Sequence, residues 1–223
     1  MPLVSISHNQ RQPLPDANWV GNVHHGLPRE LHTFRHGSGD YLAFLGRVSP
    51  EKGLERAIEI ARRTGHKLKI AAKIYDEDRP YYERTIEPLL RSSTFVEFLG
   101  EIGGSTKDEF LGDAKALLFP VEWSEPFGLV MIEALATGTP VIAWRRGSVP
   151  EVVQHGVTGF IVSNTDEGVA AVAQLNHLDR KVCRKDFETR FTSERMAKDY
   201  LRLYEDAIAA RPTSNLPTPG VRG

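Results

Sequence analysis

Two stretches of the chain hold residue types at spacings that can handle an anion. The first is GRVSPEKG, Gly46 to Gly53, which follows a short apolar run and precedes a segment of helical periodicity. Ser49 is suited to an N-cap and Pro50 to the first helical position, so Lys52 is expected in the first turn of a helix. A cation there opposes the helix dipole by about 0.3–1 kcal/mol. A bound phosphate would relieve this, because free amides and Lys52 attract the same anion. Arg47 adds a planar fork able to grip two phosphate oxygens. The alternative is that Arg47 and Lys52 are solvated surface charges and Glu51 satisfies the dipole. This turn alone does not choose between the two. It matches neither the Walker pattern nor the Gly-x-Gly-x-x-Gly fingerprint.

The second stretch, FPVEWSEPFGLVMIEALATGTPVIAW, runs from Phe119 to Trp144. A strand is expected to end at Pro120, a loop to carry Glu125, and a helix to start near Gly128. Gly128 has no side chain, so amides at the helix start can approach a ligand closely. Glu133 sits on an otherwise apolar helix among Leu129, Val130, Met131, Ile132, Ala134, Leu135 and Ala136. A carboxylate in such company needs a partner if it is buried, and a ribose diol offers two donors. Eight positions of continuous helix separate Glu125 from Glu133 by about 12 Å. That is too far for paired work on one glycosidic bond. It suits the two ends of an extended molecule, such as a sugar joined through a diphosphate to a nucleoside. The alternative is a loop charge at Glu125 and a capping role for Glu133.

The elements that must position these residues alternate from about residue 40. Strands are expected at Tyr41 to Leu45, Leu68 to Ile74, Phe95 to Leu99, Ala116 to Pro120, Val141 to Trp144 and Gly159 to Val162. Helices are expected at Pro50 to Arg63, Tyr81 to Leu90, Thr106 to Ala114, Gly128 to Thr137, Asp166 to Leu175, Asp179 to Glu188 and Ser193 to Ala210. Pro88 threatens the last turn of the second, and Gly138 is placed to close the fourth. The last carries Met196, Tyr200, Leu203, Tyr204 and Ile208 near one face, to pack on the sheet or to reach toward a preceding domain. Repeated strand–helix units with apolar strands imply an α/β fold, a parallel sheet covered by helices on both faces. In such sheets ligands bind beyond the carboxyl ends of the strands. Residues 1–40 do not fit the repeat and hold two strand-like pieces, Leu3 to Ser7 and Trp19 to His24. Residues 211–223, rich in Pro and Gly, read as a mobile tail.

The chain has 223 residues and a formal net charge of -1, from 28 basic and 29 acidic side chains. No overall basic field draws it to nucleic acid. One cysteine, Cys183, has no partner within the chain, which suits a reducing cytoplasm. No apolar run approaches the length that spans a bilayer, and the first residues do not read as a secretory signal.

The residues now carry a family likeness. The chain resembles the carboxyl-terminal domain of family 4 (group 1) glycosyltransferases over roughly residues 40–205. Glu125 to Glu133 resembles that family's Glu-x7-Glu motif in its Glu-Pro-Phe-Gly-Leu setting. Gly46, Arg47, Lys52 and Gly53 fall on its Gly-Arg…Glu-Lys-Gly motif. GTPVIA and GSVPEVVQHGVTGFIV resemble its downstream signature. The resemblance implies a Rossmann-like domain, the second half of a two-domain GT-B fold, that binds a UDP-, GDP- or ADP-sugar. It implies that Arg47 and Lys52 hold the donor diphosphate as it leaves, that Glu125 binds hydroxyls of the transferred sugar and that Glu133 binds the ribose. Gly46 and the amides around Phe127, Gly128 and Leu129 would face sugar and phosphates, and the segment from Phe98 to Ile102 would line the base. Hexosyl transfer with retained configuration and without metal or other cofactor is implied. The amino-terminal acceptor domain of that fold is expected to be missing from this stretch of sequence. VSISHNQR resembles its last strand and WVGNVHHGLP the crossing, so residues 1–40 read as a remnant plus linker and residues 41–210 as the donor domain. The isolated chain is then expected to be inactive until the other domain, or a partner chain, is supplied. The competing reading is a binding module or partner-dependent subunit without turnover. An epimerase or phosphorylase on the same fold is less well matched, with no lysine placed for a pyridoxal cofactor.

Other signals weigh less. Asp76-Glu77-Asp78 has a metal-binding Asp-x-Asp spacing, but a solvated acidic turn is commonplace. His8, His24, His25, His32 and His36 are irregularly spaced and read as linker histidines rather than ligands. Trp123 and Trp144 flank strand ends and suit either a sugar pocket or the core. Gly147-Ser148 lies beyond another strand end and suits either the donor or a structural turn.

Overall fold

The computed structural model describes residues 1–37 and 39–210, so the expected mobile tail, 211–223, lies outside the described residues. In chain order the strands and helices are β1 (Leu3–Ser5), β2 (Trp19–Asn22), β3 (Tyr41–Arg47), α1 (Leu54–Thr64), β4 (Lys67–Lys73) and α2 (Arg79–Tyr81). A π-helical turn (Tyr82–Ile86) leads into α3 (Glu87–Ser92), β5 (Val96–Gly100), α4 (Gly104–Gly112), β6 (Ala116–Phe119) and α5 (Leu129–Ala136). Then come β7 (Val141–Trp144), α6 (Val149–Val152), β8 (Gly159–Val162), α7 (Thr165–Gln174), α8 (Arg180–Arg190) and α9 (Ser193–Ala209).

Apolar runs become strands here because both faces of the sheet are covered. Tyr41, Ala43, Leu117, Phe119, Val141 and Ala143 point into one core with Phe110, Met131, Leu135 and Phe187 of α4, α5 and α8. The alternate residues Leu42, Phe44, Ala116, Leu118, Ile142 and Trp144 point into a second core with Leu54, Ile58, Ile86 and Val172 of the opposite helices. The six strands are all parallel, in the order β5-β4-β3-β6-β7-β8. The chain therefore builds outward from β3 on one side and then returns to its other side. This reversal creates a switch point between β3 and β6, where parallel sheets place their ligands. The geometry of pairing opens it further. β3 pairs with β4 along its whole length, from Tyr41 to Arg47, but with β6 only at Leu42 and Ala43. Past that point β6 pairs with β7 through Leu118 and Phe119, and the two halves of the sheet part.

Several boundaries differ from expectation for physical reasons. β3 runs on through Gly46 and Arg47, so both belong to the strand. The expected single helix from Pro50 is a 3-10 turn, Pro50–Lys52, followed by α1 with left-handed Gly53 as its N-cap. Ser49 stands before the 3-10 turn but makes no capping bond; its hydroxyl donates to Glu51. Pro88 does not end its helix. It falls at the start of α3, after the π turn, where a missing amide is tolerated. The short α6, led by Pro150, carries too few residues to show periodicity and has no counterpart among the expected elements.

Residues before β3 are held against the second half of the chain. β1 and β2 form their own parallel pair. On α9, Leu203 lies against Gly21, and Arg195 donates to the carbonyls of His24 and His25. α9 thus packs on the first residues and leaves Leu201, Tyr204 and Ile208 exposed. On α8, Arg184 donates to the carbonyls of Arg29, His32 and Ala136, and Arg180 to those of Arg35, Gly112 and Ala114.

Candidate functional site

The switch point holds a cavity of about 350 Å³ lined by Leu45, Gly46, Arg47, Lys52, Lys107, Phe119, Glu125, Gly128, Leu129, Val130 and Glu133. Beside it, a depression of about 220 Å³ shares Leu45, Gly46, Arg47 and Lys107 and adds Ala71, Ala72, Lys73, Tyr75, Glu101 and Ile102. Together they form a trough along the carboxyl ends of β3, β4 and β6. Each wall has a local cause. Gly46 and Arg47 end β3. Lys52 projects from the 3-10 turn; that turn is tied to the chain after β6 by a bond from the Glu122 amide to the Glu51 carbonyl, 2.8 Å, and α1, which follows it, by the Arg56–Glu122 pair, 2.6 Å. The strands part, but the turns beyond them are joined, which brings Lys52 to Glu125.

Charge is balanced in pairs across the trough. Lys52 Nζ lies 2.5 Å from Glu125 Oε2, which also accepts from Trp123 Nε1 at 3.0 Å. Lys107 Nζ donates to Glu133 Oε1 at 2.9 Å. These four side chains are between 13 and 27% exposed, so solvent screens them only in part. Arg47 bonds to Asp78 and Glu77 and lies 5.1 Å over the ring of Tyr75. Three cations and two carboxylates line the first cavity, and the third cation, Arg47, has its counter-ions in Glu77 and Asp78 outside that lining. Gly128, with φ +77, caps α5, and Gly128, Leu129 and Val130 line the cavity, so the helix turns its amino end toward it. Its first amides lack intrahelical acceptors and favour an anion.

Of the residues expected at a site, Gly46, Arg47, Lys52, Glu125, Gly128, Leu129 and Glu133 all meet in this cavity. Phe127 does not line it. Its ring is buried against His25 and Phe191, and its carbonyl accepts from Ser148. The distance argument for the two carboxylates also changes. α5 begins at Leu129, so helical rise applies only from Leu129 to Glu133, about 6 Å. The loop before it folds back and brings Glu125 to the same cavity as Glu133. Lys52 lies before α1, not in its first turn, so the expected clash with that dipole is absent.

Weaker signals also find places. Ile102 and Glu101 line the adjoining depression. Trp144 is buried, whereas Trp123 is exposed, with Lys52 Nζ 5.2 Å from its ring centre. Gly147 and Ser148 support the acidic loop from behind: the Ser148 amide donates to the Glu125 carbonyl at 3.0 Å. In the acidic turn Glu77 and Asp78 are the counter-ions of Arg47, and Asp76 lies 3.5 Å from Arg79. His24 pairs with Glu151 at 2.9 Å and His32 with Asp108 at 2.5 Å, carboxylates far away in sequence. Among the described residues no group of three or more His, Cys, Asp or Glu side chains is arranged to hold a metal. Cys183 is buried, which pushes its thiol up to about 12. Sequence reasoning missed Lys107. It is one charge on a helix of ordinary composition, and only the sheet order brings it opposite Glu133.

Comparison with known proteins agrees with this architecture. The family model for glycosyl transferases group 1 matches residues 33–188. An uncharacterized glycosyltransferase of Methanocaldococcus jannaschii is 31% identical over 180 residues, 75% of this chain and 45% of that protein. A D-inositol 3-phosphate glycosyltransferase of Corynebacterium glutamicum is 30% identical over 208 residues, 86% of this chain and 44% of that protein. The chain spans less than half the length of these curated relatives. Among solved structures, the GT-B fold is matched by a glycosyltransferase involved in avilamycin A biosynthesis, with TM-score 0.80, 24% identity and coverage of 93% of this chain and 64% of that one. Anabaena HepE, solved in complex with UDP and glucose, matches with TM-score 0.81 and 17% identity over 91% of this chain and 62% of that one. No helix among the described residues is long and apolar enough to cross a membrane. With the motifs, the sheet and the family model in accord, this chain belongs to the group 1 glycosyltransferases.

Proposed function

We propose that the trough binds a nucleoside diphosphate sugar and that the chain is the donor-binding half of a retaining hexosyltransferase. The observation that carries this reading is the meeting of Arg47, Lys52, Glu125, Glu133 and the amino end of α5 in one cavity. Lys52, Arg47 and the amides of Gly128 and Leu129 hold the diphosphate and neutralise it as the glycosidic bond breaks, charge stabilisation that is already in place before reaction. No metal is needed for that step. Glu125 takes hydroxyls of the transferred sugar, Glu133 takes the ribose, and the depression lined by Tyr75, Glu101 and Ile102 takes the base. Binding requires exchange: the diphosphate draws Lys52 from Glu125, and the carboxylate freed by it turns to the sugar. The complex of HepE with UDP and glucose supports a nucleotide sugar as ligand.

Residues 1–40 are, in this reading, the end of an acceptor-binding domain and its linker, and residues 41–210 the donor domain. Transfer then needs that acceptor domain, in the same polypeptide or in a partner, and takes place in the cytoplasm. Calorimetry of the folded chain against UDP-, GDP- and ADP-sugars tests the proposal. Binding of one series, weakened by Glu133→Gln, is expected. A folded chain that binds none of them overturns it. Supplying the acceptor domain and finding no transfer with any acceptor would leave a binding module.

A further inference from the structure

Lys107 has no part in the assignments above, yet its position is distinctive. The cavity and the adjoining depression have four residues in common: Leu45, Gly46, Arg47 and Lys107. Three of them are consecutive at the end of β3; Lys107 comes from α4 and faces them across the neck of the trough. A molecule that fills both depressions passes between Lys107 and β3. At that neck Lys107 bonds to Oε1 of Glu133, whose carboxylate accepts, among the described residues, through that oxygen alone. The lysine is itself held in place. The next residue, Asp108, bonds through Oδ1 to His32 Nδ1 at 2.5 Å and through Oδ2 to the amide of Thr33 at 2.9 Å, which pins α4 to the segment before β3.

We infer that Lys107 is a positioning residue that aims Glu133 at a vicinal diol in the neck of the trough. The inference rests on the nucleotide-sugar reading and deepens it. A glutamate has three rotatable bonds and, unsupported, samples several rotamers that a ligand must then order. A single bond from Lys107 to Oε1 fixes the carboxylate and leaves the lone pairs of Oε2 for two hydroxyl donors. A site built to receive a hydroxyl rejects the analogue that lacks it, because its own polar group is then left unpaired. Lys107 should therefore set the discrimination between ribose and 2′-deoxyribose, beyond any general attraction of its charge for phosphate.

The test measures binding of UDP and of 2′-deoxy-UDP to the wild-type chain, to Lys107→Met and to Lys107→Arg. If the nucleotide-sugar panel selects another base, the corresponding pair is used. The wild type is expected to favour UDP by about fivefold or more, the worth of one hydrogen bond. K107M should lose about that factor for UDP and keep 2′-deoxy-UDP within about twofold, so the ratio falls toward one. K107R, which keeps a donor within reach, should recover most of the ratio. Equal weakening of both ligands by K107M would mean that Lys107 acts only through phosphate charge, and overturns the inference. So does a wild type without preference between them. Should K107M fail to fold, Lys107→Leu, which likewise lacks a donor, serves for the same comparison. A wild type that binds neither these nucleotides nor any nucleotide sugar removes the underlying reading as well, an outcome distinct from binding without discrimination.

Discussion

Because Lys52 already has a carboxylate partner, removing Lys52 and removing Glu125 should shift nucleotide affinity in opposite directions. Lys52 Nζ is 2.5 Å from Glu125 Oε2 in a partly buried setting. A pair of this kind, between the exposed and the buried extremes, is worth about 1 kcal/mol. A phosphate that recruits Lys52 must first give up that bond. Glu125→Gln weakens the competing interaction, so UDP, which has no sugar for Glu125 to hold, should bind about fivefold more tightly. Lys52→Met removes a charge-assisted bond to phosphate worth about 1.5–3 kcal/mol, offset by about 1 kcal/mol because no pair has to be broken first, and should weaken UDP by about 2- to 30-fold. The hexose should respond differently: E125Q loses whatever gain UDP-glucose shows over UDP in the wild type. Titration calorimetry of UDP and UDP-glucose with the three proteins measures all of this. If E125Q weakens UDP, or if K52M leaves it unchanged, the idea that the two groups compete for one lysine is wrong.

Two further outcomes follow from the supports of the site. Gly147 adopts φ +53, and a side chain there would meet the Glu125 backbone nitrogen at 2.4 Å and its carbonyl oxygen at 2.2 Å. Gly147→Ala should cost about 2 kcal/mol or more in urea unfolding and displace Glu125; a change below about 0.5 kcal/mol would show that the loop yields freely. Burial of Glu151 by itself would raise its carboxyl, but His24 and the amides of His8 and Asn9 outweigh burial and hold it below the usual 4.5. The unfolded chain therefore takes up this proton more readily than the folded one. The stability that Glu151 adds is complete above about pH 4.5 and is lost as pH falls through its folded value. Glu151→Gln should be less stable than the wild type by about 1–2 kcal/mol at pH 7, with the gap narrowing as the solution is made more acidic than the folded value; a gap that does not change with acidity would refute the role given to its charge.

Much of this architecture was legible because burial on both sides of the sheet leaves an unmistakable mark. β7 and β8 coincide with their expected bounds, since fully apolar runs between glycines and turns have one reading. Glu133 could be singled out for the same reason, a carboxylate among Leu129, Met131 and Ile132 demanding a partner. What the residues did not show was which partner. Lys107 and Glu133 meet only because β6 sits between β3 and β7, an order that local periodicity does not encode. The course of the expected loop from Glu125 to Gly128, and so the separation of Glu125 from Glu133, does not follow helical rise, because it depends on Ser148 and Gly147, which are distant in sequence. The π turn before Pro88 shows the limit of local rules from the other direction: a single extra residue in the turn lets a helix continue where propensity ends it.

The early parting of β3 and β6 bears on mechanics. Their ladder ends at Ala43 and Leu117, so the sheet resembles two leaves joined at a short spine. A molecule lodged between them touches both leaves and acts as a peg. Its occupancy should slow hydrogen exchange at Leu45, Gly46 and Val130 together, although β3 and α5 belong to different leaves.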